Sequence, residues 1–195
     1  MKNLYVSLVC LTRFDFLLMR KVCIVAIIGE SGSGKTFAAQ YMGLDDRFHT
    51  IVSYTTRSMR VNETDGVDHW FVSDQDVPAQ SEMCAYTVFG DKQYWTTWSQ
   101  FADSSVCHLY VIDENGIDFL RSKVAEAPFA ISLVLVRIKR ADLSDIDSAR
   151  RFRDKDRFLY GDDVYDFVLQ NDGSLEDFRD KLDELKELII KHICD

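Results

Sequence analysis

No stretch of this 195-residue chain stays apolar for the about 20 residues that a membrane-spanning helix needs. The run from Leu4 to Leu11 is short, and the charged Arg13 and Asp15 come directly after it. No clear small-residue cleavage site lies beyond it, so a signal peptide finds little support. Residues 1–20 are read as an extension ahead of a domain spanning 21–195, with a packed extra element as the alternative. Cys-x-x-Cys spacing is missing as well. The five cysteines (Cys10, Cys23, Cys84, Cys107, Cys194) are scattered and odd in number. That pattern argues against a zinc site and suits reduced thiols in a cytoplasmic protein. Cys23 and Cys107 fall in expected core strands, where the thiol behaves as a small hydrophobe. Positive charge is scarce: 23 Lys and Arg stand against 32 Asp and Glu, a net charge of −9. Such a surface does not bind nucleic acid through phosphates alone. The densest basic cluster, Arg150 to Arg157, is interleaved with acids. Neither a nucleic acid nor a membrane is an expected partner. Internal repeats and low-complexity segments are absent too.

What the chain does have is a complete phosphate-binding loop. Residues 29–36 read Gly-Glu-Ser-Gly-Ser-Gly-Lys-Thr, matching G-x-x-x-x-G-K-[ST]. The all-apolar run 22–28 precedes it and a helix-compatible stretch, 36–42, comes after, which is the strand–loop–helix setting of a true P-loop. Gly29, Gly32 and Gly34 permit backbone conformations that turn successive N–H groups toward phosphate oxygens. Ser31 and Ser33 lie between these glycines, and the helix adds its positive N-terminal end. In such a loop the lysine, Lys35, reaches the β- and γ-phosphates, and the hydroxyl of Thr36 completes a Mg²⁺ shell.

Apolar runs at 106–112, 129–136 and 164–169 predict further core strands, and residues 83–95 read as a hairpin turning at Gly90-Asp91-Lys92. Helices are predicted at 117–124, 147–159 and 174–193. In the last, Ser174 with Asp177 forms a start resembling a capping box. Leu175, Phe178, Leu182, Leu185 and Ile189 then make an apolar stripe. Strands alternating with helices give an α/β fold with a parallel, doubly wound sheet. Asp113, at the end of the 106–112 strand, is either a Mg²⁺ ligand or a helix N-cap, the former being favoured beside a P-loop.

Residues 52–60, Val-Ser-Tyr-Thr-Thr-Arg-Ser-Met-Arg, continue into residues 63–73, Glu-Thr-Asp-Gly-Val-Asp-His-Trp-Phe-Val-Ser. With the P-loop upstream and Tyr94-Trp95-Thr96 downstream, this string resembles the guanylate kinase family over most of residues 22–193. The resemblance implies a P-loop NTPase-type parallel sheet flanked by helices. It also implies a small nucleoside-monophosphate-binding insertion at about 53–100 and a short lid at about 140–160. The implied activity is ATP-dependent, Mg²⁺-assisted phosphorylation of GMP, dGMP or a related nucleoside monophosphate, by a monomer or homodimer. Arg57 and Arg60 would grip the acceptor phosphate, with Ser53, His69, Tyr94 and Thr96 around the acceptor. Asn171 would lie on the ATP side. Arg150, Arg153 and Arg157, sharing one face of the 147–159 helix, would close on the migrating phosphoryl group. Thr36 and Asp113 would serve the metal.

The same alignment places Ala85 and Val111 where the family has its guanine-reading carboxylates, His69 where it has tyrosine, and Trp95 where it has glycine. The phosphate-handling parts are retained and the base-reading parts are not. An altered or relaxed acceptor base is the expectation. A non-catalytic binding module and a kinase for a non-nucleotide phosphate acceptor remain the alternatives, the former disfavoured by the intact P-loop.

Overall fold

A strand that is apolar at every position can be stable only if both its faces are covered. Strand β1 (Lys21–Ile28) meets that condition from Val22 onward, at the centre of a five-stranded parallel sheet. The computed structural model describes residues 21–142, 144 and 160–194. Beside β1 lie β7 (Cys107–Val111) and β8 (Ala130–Lys139), with β2 (Phe48–Thr50) and β9 (Phe167–Gln170) at the edges, in the order β2-β7-β1-β8-β9. Because strand side chains alternate, β1 feeds two cores. Cys23, Val25 and Ile27 pack with helices α1 (Lys35–Met42) and α3 (Leu175–Cys194) through Ala38, Met42, Phe178, Leu182, Leu185 and Ile189. Val22, Ile24, Ala26 and Ile28 share the opposite core with Ile117 and Leu120 of helix α2 (Glu114–Lys123). The predicted stripe of α3 is thus its buried face, apart from exposed Leu175. The Ser174–Asp177 box forms: the Ser174 N–H donates to Asp177 Oδ2 at 2.8 Å and the Asp177 N–H to Ser174 Oγ at 3.1 Å.

A second sheet of four strands stands apart in sequence, between residues 54 and 96. Its strands are β3 (Tyr54–Thr55), β4 (Trp70–Phe71), β5 (Ala85–Phe89) and β6 (Lys92–Thr96), ordered β4-β3-β6-β5. The β5–β6 hairpin turns at Gly90, where φ of 67° suits glycine and open space surrounds the bend. Trp95 is almost fully buried and stacks on Tyr54 at 5.6 Å.

Some boundaries move from those read in the sequence. The strand expected at 164–169 starts later, at Phe167, because Asp162–Val164 forms a 3₁₀ turn. Helix α2 begins earlier, at Glu114, because Asp113 caps it: Asp113 Oδ1 accepts from the Gly116 N–H at 2.7 Å. Residues 1–20 and the helix expected at 147–159 lie outside the described residues.

Candidate functional site

The P-loop joins the end of β1 to α1 through three glycines at positive φ: Gly29 at 152°, Gly32 at 81° and Gly34 at 107°. Side chains would also collide with neighbours at two of these. A Cβ on Gly29 would run into the Ile138 carbonyl, and one on Gly34 would meet Asn171 Nδ2 at 2.6 Å. The loop's carbonyls are tied from outside. Asn171 Nδ2 donates to the Ser33 carbonyl at 2.9 Å, and an Arg140 guanidinium N–H approaches the Gly32 carbonyl at 3.4 Å. From inside, the Lys35 ammonium donates to the carbonyls of Gly29 (2.8 Å) and Glu30 (2.7 Å). The Ser33 hydroxyl is fully buried.

The loop opens onto a cleft of about 280 Å³ whose other wall is the second sheet and the C-terminal end of β7. Ser31, Gly32, Lys35 and Thr36 line its floor, while Ser53, Arg57, Arg60, His69 and Tyr94 line the far side, with Asp113 between. Chain segments from 17 to 77 residues beyond the P-loop thus converge on the cavity that begins at that loop.

On the far side the arginines carry an internal counterion. Arg57 forks onto Glu63, with its two terminal nitrogens 2.8 and 3.0 Å from the two carboxylate oxygens. The Arg60 backbone N–H and guanidinium reach the same carboxylate at 2.8 and 3.1 Å. Burial pushes the Glu63 carboxyl upward, but the bonds from Arg57 and Arg60 outweigh it and hold the group at about 2. The Arg57 guanidinium also lies over the Phe71 ring at 5.3 Å. His69 Nδ1 and Ser53 Oγ are 2.9 Å apart, and the imidazole meets the rings of Phe71 and Tyr94 edge-on. Burial, helped by nearby Arg57, lowers the His69 pKa, so the ring is neutral at pH 7.

The sequence reading and the geometry part company at the base end. Thr96 has no exposed surface and lies behind the cleft wall. Its hydroxyl is held 3.3 Å from Cys84 Sγ and donates to the Tyr110 hydroxyl at 3.4 Å. Ala85 is likewise fully buried in the core, whereas Val111 lines the cleft. Asp113 turns out to be an N-cap that also faces the cleft, its second oxygen accepting from Thr87 Oγ1 at 2.9 Å. Asn171 touches the loop's outer side, at the Ser33 carbonyl. Arg150, Arg153 and Arg157 lie outside the described residues.

Four cleft residues escaped the sequence reading: Thr87, Phe89, Tyr110 and Ile112. Thr87 and Phe89 succeed Ala85 at steps of two on β5, so the alternation of that strand carried a usable signal. Tyr110 had none, since a tyrosine in an apolar strand reads as core. Among the described residues, no cluster of three or more His, Cys, Asp or Glu side chains could hold a metal unaided. A Mg²⁺ ion bound chiefly by phosphates and water does not need one. No helix among the described residues is long and apolar enough to cross a membrane.

Known proteins resemble this chain along most of its length. A family model described as Guanylate kinase matches residues 20–192. A guanylate kinase of Wigglesworthia glossinidia brevipalpis is 24% identical over 193 residues, covering 88% of this chain and 89% of the relative. One from Zymomonas mobilis reaches 43%, but over 72 residues, 36% of this chain and 32% of the relative. Among solved structures, a guanylate kinase from Anaplasma phagocytophilum superposes with a TM-score of 0.59 at 19% identity, covering 88% of each chain.

Proposed function

The chain belongs to the guanylate kinase family, and from that premise we propose that it transfers the γ-phosphoryl group of ATP to a nucleoside monophosphate whose base is read differently from guanine in that family. One observation carries this reading: the P-loop Lys35 and Thr36 line the same cleft as Arg57, Arg60 and Tyr94. A donor phosphate on the loop would then face an acceptor phosphate on the arginines. Phosphoryl transfer asks for in-line positioning and for positive groups around spread negative charge, with little covalent help. Lys35 would leave the Gly29 and Glu30 carbonyls for the β- and γ-phosphates. Arg57 and Arg60 would exchange their shared contact with Glu63 for the acceptor phosphate, where bidentate geometry is available to a guanidinium. Tyr94 would donate its hydroxyl there, and neutral His69, fixed through Ser53, would offer Nε2. Arg150, Arg153 and Arg157 would close on the migrating phosphoryl group, as the resemblance implies. Asn171 would act indirectly, by holding the loop.

The residues present fit a Mg²⁺ ion accompanying ATP. The Thr36 hydroxyl would bind it directly, and Asp113 would do so through water, since Gly116 and Thr87 already engage both its oxygens. The ion would neutralise phosphate charge in the transferred group.

The altered base preference rests on burial. Ala85 and Thr96 do not line the cleft, and Val111 offers no hydrogen bond. A base edge whose polar groups go unpaired is rejected. The same observation favours, as a second reading, a phosphorylated acceptor without a base. ADP release from Mg·ATP, measured with GMP, dGMP, AMP, CMP, UMP, dTMP, IMP and pentose phosphates, separates these. Turnover with a non-guanine nucleotide supports the proposal, and turnover with a sugar phosphate alone supports the second reading. GMP-only turnover refutes the altered base. Lys35→Ala should abolish whichever activity appears while the protein stays folded. Undiminished turnover would sink the P-loop assignment.

A further inference from the structure

Among the described residues, Arg137 is the one buried guanidinium, only 7% exposed. It stands on β8 directly opposite Ile28, the residue that ends β1 just before the P-loop. One terminal nitrogen donates to the Glu30 carboxylate at 3.1 Å. The other reaches Asp162 at 2.7 Å and the Tyr160 carbonyl at 3.4 Å. The guanidinium carbon lies 5.5 Å from the centre of the Tyr165 ring, and Nε is buried without a partner. Lys139 shares Asp162 at 2.9 Å.

Stability alone accounts poorly for this arrangement. Burying a guanidinium is costly, an unsatisfied Nε adds to the cost, and well-packed apolar residues often serve as well or better. The partner is more telling. Glu30 occupies the second position of the P-loop, and its backbone carbonyl accepts both the Lys35 ammonium at 2.7 Å and the Ser33 N–H at 3.2 Å. The residue whose side chain Arg137 grips is therefore the residue that holds the phosphate-binding lysine and closes the first turn of the loop. Gly29, one step earlier, has no room to shift toward β8, since the Ile138 carbonyl packs against it. Glu30 is thus pinned at its side chain and at its preceding residue.

We propose that Arg137 is a positioning residue for phosphate binding: by clamping the Glu30 carboxylate it fixes the P-loop turn that presents Lys35, and it neutralises a carboxylate that would otherwise sit uncompensated beside the phosphates. It acts through Glu30 and touches no ligand. The role rests on the P-loop being the nucleotide site. Asp162 gives the control, because it shares the Arg137 ion pair but makes no contact with the loop in these bonds.

The test is ADP binding by calorimetry, paired with thermal unfolding, which needs no acceptor and no turnover. Arg137→Met should weaken ADP binding about tenfold or more. Glu30→Gln should also weaken it, and the double variant should bind no worse than Arg137→Met, because both changes cut one link. Asp162→Asn should lower the melting temperature yet leave the ADP Kd within twofold. Arg137→Met with unchanged affinity, an additive cycle, or equal weakening by Asp162→Asn would overturn the proposal. Should Arg137→Met fail to fold, Glu30→Gln decides: weaker binding at unchanged melting temperature upholds the clamp, and unchanged affinity removes it. Wild-type protein that binds no ADP would overturn the kinase reading, and the clamp with it.

Discussion

Replacing Glu63 with glutamine removes the counterion of Arg57 and Arg60 while keeping the side chain's shape. The structure gives the magnitude. A carboxyl held at about 2 instead of its ordinary 4.5 corresponds to about 3 kcal/mol of stability at neutral pH. The pair lies at the rim of an open cleft, with the two side chains 12% and 14% exposed, so solvent screening reduces that to about 1–2 kcal/mol. The sign comes from the depressed value. The folded state prefers the ionised form, so the contribution is complete above the unfolded pKa and disappears as the pH falls from 4.5 to about 2. Glu63→Gln should therefore lower the unfolding free energy by about 1–2 kcal/mol at pH 7, a drop of roughly 2–8 °C in melting temperature. The gap to wild type should fall below half of that by about pH 3 and close near pH 2. Urea unfolding at a series of pH values measures it. Equal stability at pH 7, or a gap that persists undiminished at low pH, would refute the ion-pair account. In kinetics the variant should lower the acceptor KM and leave the ATP KM alone, because Arg57 and Arg60 then have no Glu63 contact to give up for the acceptor phosphate.

Arg57→Ala should raise the acceptor KM by about tenfold or more, with ATP affinity within twofold, and an unchanged acceptor KM would place the acceptor phosphate elsewhere. Gly34→Ala forces a side chain onto Asn171 at a φ of 107°. It should abolish ADP binding in calorimetry and lower the melting temperature, since the new Cβ also crowds the Phe178 ring at 3.2 Å. Restoring carboxylates should divide by burial: Val111→Asp enters the cleft and should increase preference for GMP, whereas Ala85→Glu buries an unpaired charge in the core. The latter should lose several kcal/mol of stability in denaturant titrations. A stable Ala85→Glu protein with improved GMP turnover would show that the base end opens more than the structure indicates.

Legibility tracked the range of the interaction. The P-loop, β1 and α3 were readable because their signals are local: a fixed motif, an unbroken apolar run, and a stripe with its Ser174–Asp177 start. Asp113 was readable only as a choice between cap and metal ligand. The cap depends on a contact three residues away, but the second oxygen is occupied by Thr87, 26 residues upstream, which no local pattern discloses. Thr96 shows the opposite failure. The family pattern places it at the acceptor, yet its burial is set by Cys84 across the hairpin and by Tyr110 on β7.

The sequence by itself settled the strands at the centre of the main sheet, the last helix, the P-loop motif and the family, while the short strands β2, β3 and β4 went unread, since periodicity and a dense motif are properties of neighbouring residues. Tertiary structure alone decided what faces the cleft and with what charge. It sank Ala85 and Thr96 into the core, and brought Arg137 against Glu30 across 107 residues of chain. Those outcomes depend on how the central sheet, the smaller sheet and the P-loop come together, and the physical reason is plain. Burial and long-range pairing are fixed by strand register and packing, which no window of adjacent residues contains.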